Sequence, residues 1–284
     1  MVSGKKALVV EGGAMRGIFA SGVLDAFMEQ NYRPFDFVMG VSAGASNLVG
    51  YLAHQPKRSY QVITELATSK RFYNPGRFLR GGSLVDVRWL IDEANEHYPI
   101  DEERLFSSVP FFAAATNINT GKADYYQVTR ENFVTAIEAT SALPLVYKNT
   151  PCFSGGCYTD GGVADSIPVK EAYRRGARDI TVILSHPLSY TMNKPKSEWM
   201  MKKLFARYPQ VANSVVHRAE KYNGSLQFIH HPPKGANIEV IAPPENFAVK
   251  RLTMKKPLLQ QGYQMGLNAG KQYLQSMEKK YEFI

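Results

Sequence analysis

Short, nearly unbroken apolar runs recur along the 284-residue chain, each bounded by charge, glycine or proline. Residues 7–10 (ALVV), 37–39 (FVM), 110–116 (PFFAAAT), 179–185 (DITVILS) and 237–243 (NIEVIAP) have the length of strands, and such continuous runs suit parallel strands buried on both faces. Between them, apolar residues return at spacings of three and four. Ile18, Leu24, Phe27 and Met28 predict a helix behind the first strand, and the small, apolar second half of 35–51 predicts another. Further helices are expected over 131–140, ended by Pro144, over 170–175 and over 257–277. Residues 57–110 read as a mostly helical insertion whose expected role is packing. Residues 188–233 read as irregular, with 199–209 (WMMKKLFARYP) their most amphipathic piece. The alternation predicts one α/β domain over 1–284, a three-layer α/β/α sandwich on a mainly parallel sheet, with 186–236 as a cap or membrane-facing segment.

The stretch 35–51 (FDFVMGVSAGASNLVGY) carries the chemistry. Its centre, Gly40-Val41-Ser42-Ala43-Gly44, is a strand-to-helix turn with a serine at the apex, where a side chain at either glycine would strike the neighbouring strand or helix. Such a turn exposes the Ser42 hydroxyl and sets the Ala43 N–H beside the carbon under attack. A second turn, Glu11-Gly12-Gly13-Ala14-Met15-Arg16-Gly17, joins the first strand to its helix and offers backbone N–H groups at a helix start, an anion site. Neither glycine pattern of the nucleotide-binding loops is matched, so the anion expected there is an acyl-transfer oxyanion. Arg16 either binds a phosphate head group or anchors the loop by an ion pair.

A serine needs a base. None of the six histidines stands in a local pattern that nominates it; His186, at the end of a predicted strand, is the best placed. Asp160, directly before Gly161-Gly162, has an unhindered carboxylate on a tight turn and is the preferred base, giving a Ser/Asp dyad.

Composition narrows the setting. The formal charge of +9 suits an anionic partner, and with no nucleic-acid motif present a membrane surface is expected before nucleic acid. The N-terminal apolar run is too short for a signal peptide, which points to a cytoplasmic protein, peripheral at most to a membrane. Cys152 and Cys157 are then expected as reduced thiols, and no metal or organic cofactor is expected.

Taken together, Gly12-Gly13-Ala14-Met15-Arg16-Gly17, Gly40-Val41-Ser42-Ala43-Gly44 and Asp160-Gly161-Gly162, with Ser141-Ala142-Leu143-Pro144 between, resemble the patatin-like phospholipases in motif and order over roughly residues 6–175. The resemblance implies Ser42 as nucleophile, Asp160 as its base, and Gly12, Gly13 and Ala14 as oxyanion donors. Two positions depart from the family pattern: Ala14 takes the place of a third glycine, and Ser166 stands where asparagine is frequent. The expected activity is hydrolysis of lipid or other carboxylic esters through an acyl-enzyme. The alternatives are acyl transfer by the same dyad and a non-catalytic lipid-binding protein.

Overall fold

The computed structural model describes residues 4–282. Its strands are β1 (Lys5–Val10), β2 (Phe37–Gly40), β3 (Phe111–Asn117), β4 (Ala123–Gln127), β5 (Cys152–Phe153), β6 (Gly156–Asp160), β7 (Ala177–Ile183) and β8 (Asn237–Ile241). The parallel centre of the sheet runs β3-β2-β1-β7-β8, and β4 and β6 pair antiparallel with β3 at one side. Successive residues of β1 point to opposite faces, and each face has its own core. Leu8 and Val10 pack with Phe19, Val23 and Phe27 of α1 (Ile18–Glu29) and Leu48 of α2 (Ala43–Leu52). Ala7 and Val9 pack with Val169, Tyr222, Leu226 and Ile229. This is the three-layer α/β/α sandwich that the sequence pattern predicts.

The final helix, Lys256–Glu282, lies against α1 at unusually close range. A Cβ on Gly22 would sit 2.2 Å from the Tyr263 carbonyl oxygen, and one on Gly266 2.0 Å from that of Phe19. Two glycines therefore let the backbones touch. Among the described residues no helix is long and apolar enough to cross a membrane.

Two expectations are corrected. Residues 188–233 are not irregular: they contain helices Glu198–Leu204, Pro209–Val216 and Arg218–His230. In the last, Tyr222, Leu226 and Ile229 are buried at helical spacing, but the asparagine, serine and glutamine between them dilute the apolar stripe. Cys152 and Cys157 are not free thiols. β5 and β6 form a hairpin in which the two lie directly opposite, Cα atoms 4.0 Å apart, and they are joined as a disulfide.

Candidate active site

The carboxyl ends of β1, β2 and β7 meet at one edge of the sheet, and the candidate residues gather there. Ser42 follows β2 with φ 53° and ψ −123°, a conformation costly for any residue with a Cβ. Gly40 and Gly44 are required at its flanks. A Cβ on Gly40 would lie 2.8 Å from Ala45 of α2, and one on Gly44 2.4 Å from the Val10 carbonyl oxygen. The Ser42 N–H is not idle: it donates to Thr140 Oγ1 at 2.9 Å, and Thr140 in turn donates to the Ala114 carbonyl on β3. Thr140, one residue before the Ser141–Pro144 segment, thus holds the elbow from behind.

The glycine loop runs beside this turn. A Cβ on Gly12 would meet the Val41 carbonyl oxygen at 2.9 Å and Ser42 Cβ at 3.2 Å. Ala14 adopts φ 48°, so the residue in the third glycine's place takes a left-handed conformation despite its side chain. Among the described residues the N–H groups of Gly12, Gly13, Ala14 and Ala43 donate to nothing, whereas those of Glu11, Met15 and Gly44 are bonded to backbone carbonyls. Four unpaired donors near one serine hydroxyl are suited to a developing negative charge.

Asp160 ends β6 and is buried. Its Oδ1 accepts from the Gly162 N–H at 2.7 Å, while its Oδ2, also buried, has no hydrogen bond of ordinary geometry. Burial raises the carboxyl's pKa above the usual aspartate range, and the Gly162 N–H, the adjacent Ser42 hydroxyl and two arginines, Arg251 and Arg218, oppose the rise. The loop after Asp160 is braced without asparagine. Ser166 Oγ and Arg218 Nε each donate to the Gly162 carbonyl at 2.7 Å. Serine at 166 and an arginine from a distant helix together hold this turn.

Two cavities meet at Ser42. The larger encloses about 1050 Å³ including its mouth and is walled by Val62, Ile63, Phe72, Val85, Leu90 and Ile137. The 57–110 insertion supplies nearly half of that lining, so it does more than pack. The smaller, about 370 Å³, is polar and is lined by Glu11, Arg16, Asp160, His186, Arg218 and Arg251. Ser42, Ala14, Leu143 and Arg251 border both. The first is walled mainly by apolar side chains and the second by charged and polar ones, so one side suits an apolar chain and the other a polar group.

His186 lies in the polar cavity but is not linked to Ser42 or Asp160 by a hydrogen bond. Its ring stacks on Tyr190 with centroids 3.7 Å apart. Burial, with Arg16, Arg218 and Arg251 nearby, pushes its pKa down to about 3, which makes it a poor proton acceptor. Arg16 makes no ion pair among the described residues, contrary to the anchoring alternative, and its Nε is buried with no partner. Glu11, overlooked in the sequence, accepts from the Ser185 N–H and from the Tyr222 hydroxyl at 2.7 Å, tying the ends of β1 and β7 to the 218–230 helix. Its place directly before the two glycines was the available signal. Arg218, Tyr222 and Arg251 had none, because they reach the site from residues far beyond the motifs. No group of three or more His, Cys, Asp or Glu among the described residues is arranged to hold a metal ion.

Comparison with known proteins agrees with this fold. The chain is 36% identical to the uncharacterized protein YjjU of Escherichia coli K12, over 97% of this chain and 79% of that protein. It is 24% identical to the lysophospholipase NTE1 of Scheffersomyces stipitis over 96% of this chain, but spans only 18% of that relative's length. Among solved structures, VipD from Legionella pneumophila shares the fold, with a TM-score of 0.55 at 16% identity over 96% of this chain and 67% of that one. A model described as a domain of unknown function, DUF6363, matches residues 208–282. A model described as patatin-like phospholipase matches residues 8–173, more than half of the chain, and the chain belongs to the patatin-like phospholipase family.

Proposed function

We propose that the chain is a serine lipid acyl hydrolase that cleaves carboxylic esters through Ser42 and Asp160. The observation that carries this reading is the meeting of the Ser42 hydroxyl with an otherwise unbonded, buried Asp160 oxygen where an apolar and a polar cavity join. Ser42 Oγ attacks the ester carbonyl while Asp160 Oδ2 accepts its proton. The N–H groups of Gly12, Gly13, Ala14 and Ala43 hold the oxyanion, each donor contributing about 3 kcal/mol of barrier lowering in sites of this kind. Collapse expels the alcohol, which takes the proton back from Asp160. Water, deprotonated by the same carboxylate, then releases the fatty acid. The apolar cavity accepts the acyl chain, and no cofactor is needed for any step.

Contact with an anionic membrane surface fits the short 198–204 helix, where Trp199 is 70% exposed beside Met200, Leu204, Lys202 and Lys203. Replacement Trp199→Ala is expected to weaken sedimentation with anionic vesicles without changing hydrolysis of a soluble short-chain ester.

A fluorophosphonate probe, which labels only an activated serine, checks the chemistry. Wild type is expected to label, Ser42→Ala not at all, and Asp160→Asn at least about 100-fold more slowly. A folded wild-type protein that stays unlabelled would overturn the reading.

A further inference from the structure

The polar cavity holds more positive charge than its surroundings neutralise. Arg16 comes from the glycine loop, Arg218 from the Arg218–His230 helix and Arg251 from the segment before the final helix, and all three line it. Among the described residues none of the three guanidinium groups lies in an ion pair. Arg16 Nε is buried and unpartnered. Arg218 uses its Nε on the Gly162 carbonyl and one Nη, at 3.4 Å, on Ser166, which leaves the rest of its fork uncommitted. Arg251 is exposed at the mouth shared by the two cavities.

The acids in the same cavity answer only part of this charge: Glu11 favours the charged forms of Arg16 and Arg218 and Asp160 that of Arg218, but two carboxyl groups face three guanidinium groups. Glu11 is bonded to Ser185 and Tyr222, and Asp160 to Gly162. A cation left uncompensated and partly out of water is costly, and a cavity with this surplus of positive charge is arranged for an anion that enters later. Arginine forks match phosphate oxygens in pairs. The position settles which part of a substrate this would be: with an acyl chain in the apolar cavity and its ester at Ser42, the other side of the ester points at the arginines.

We propose that this cavity is a phosphate subsite for the alcohol side of the substrate, completed by the 208–282 segment through Arg218 and Arg251. The proposal rests on the acyl-hydrolase reading and narrows it: the preferred substrate is an acyl ester whose alcohol carries a compact terminal phosphate, such as a monoacylglycerol phosphate, rather than a neutral or choline-capped one. The segment of unknown function thereby acquires a role in choosing the substrate.

Two measurements separate this from the parent reading. The first compares kcat/KM for monoacylglycerol phosphate, monoacylglycerol and the choline-capped lysolipid of the same chain length, in wild type and in Arg251→Met, whose side chain makes no hydrogen bond that its loss would break. Wild type is expected to prefer the phosphate ester over both others, and Arg251→Met to reduce that preference by about tenfold or more, as loss of a charged hydrogen bond does. Equal losses on all three substrates would overturn the subsite. The second uses Ser42→Ala, with no turnover in play, and follows binding of glycerol 3-phosphate and of inorganic phosphate by calorimetry. Binding of glycerol 3-phosphate that Arg251→Met abolishes is expected. Binding of inorganic phosphate with no preference for the phosphate-bearing ester would assign the cavity to a free anion and defeat the proposal. Neutral esters cleaved without any phosphate preference would sink the subsite and leave the hydrolase standing. Glycerol 3-phosphate bound by a protein that no fluorophosphonate labels would do the reverse.

Discussion

Ala14 and Ser42 both carry positive φ values, 48° and 53°, and they do so for opposite reasons. At Ser42 the conformation aims the hydroxyl into the junction of the cavities. At Ala14 the side chain adds nothing that glycine would lack, and the left-handed conformation costs an alanine about 1–2 kcal/mol. Against this stands the extra backbone entropy of glycine, about 0.5–1 kcal/mol. Ala14→Gly is therefore expected to raise stability by up to about 1 kcal/mol, read as a Tm increase of roughly 2–4 °C for a chain of this size. Asp160 gives a second expectation. Its carboxyl is buried and its pKa raised, so at neutral pH the folded state carries a charge that the unfolded chain holds more easily. Asp160→Asn is expected to stabilise the fold while removing the base. The gain is full above the raised pKa, shrinks as pH falls through it, and is gone below the ordinary aspartate value of about 3.8. Melting curves across pH would show it, and the acid limb of the wild-type rate profile should lie above the ordinary aspartate range for the same reason.

At the scale of elements, the contact between α1 and the final helix is where a single atom matters most. A Cβ on Gly266 has 2.0 Å to the Phe19 carbonyl and no flexible side chain to push aside. Gly266→Ala is expected to force the helices apart and cost about 1–3 kcal/mol, visible as a lower denaturant midpoint with an unchanged slope. The sequence showed that a helix closes the chain, because its apolar residues keep helical spacing, but not what it packs on. A glycine inside a helix reads as a weak point, and only the opposing backbone shows that it is a contact surface. The elbow was easier to read for the converse reason: Gly40, Ser42 and Gly44 sit within five residues, so their steric requirements are local. The loop before α1 and the turn at Asp160 were legible on the same ground. The 218–230 helix was not, since Tyr222, Leu226 and Ile229 are spread among polar residues and their partners lie on β1 and β7. The disulfide was missed because the inference ran from compartment to thiol, whereas the hairpin that sets Cys152 against Cys157 is a matter of strand pairing.

For the whole molecule, the formal charge of +9 divides into parts with different duties. Some of it lies on exposed lysines around Trp199 and some in the cavity beside Ser42, while surface pairs such as Arg130 with Glu102 add nothing to the net. Raised salt is expected to weaken vesicle binding steeply, since exposed charges are screened over about 10 Å at 0.1 M. In the cavity Arg16 and Arg218 are half-buried and only Arg251 stands exposed at the mouth, so kcat/KM for a soluble ester should respond less. Measuring both over one salt series would tell the two populations of charge apart.

The bond from Arg218 to the Gly162 carbonyl joins the Asp160 turn to a helix more than fifty residues further along the chain. A turn within the first 207 residues thus leans on a side chain from the C-terminal segment. A gene fragment ending near residue 207 would lose the brace on the Asp160 turn, leave β7 without its neighbour β8 and uncover the glycine face of α1. Such a fragment is expected to accumulate as insoluble protein. In recombination the two segments would travel as one cargo or lose their use to each other.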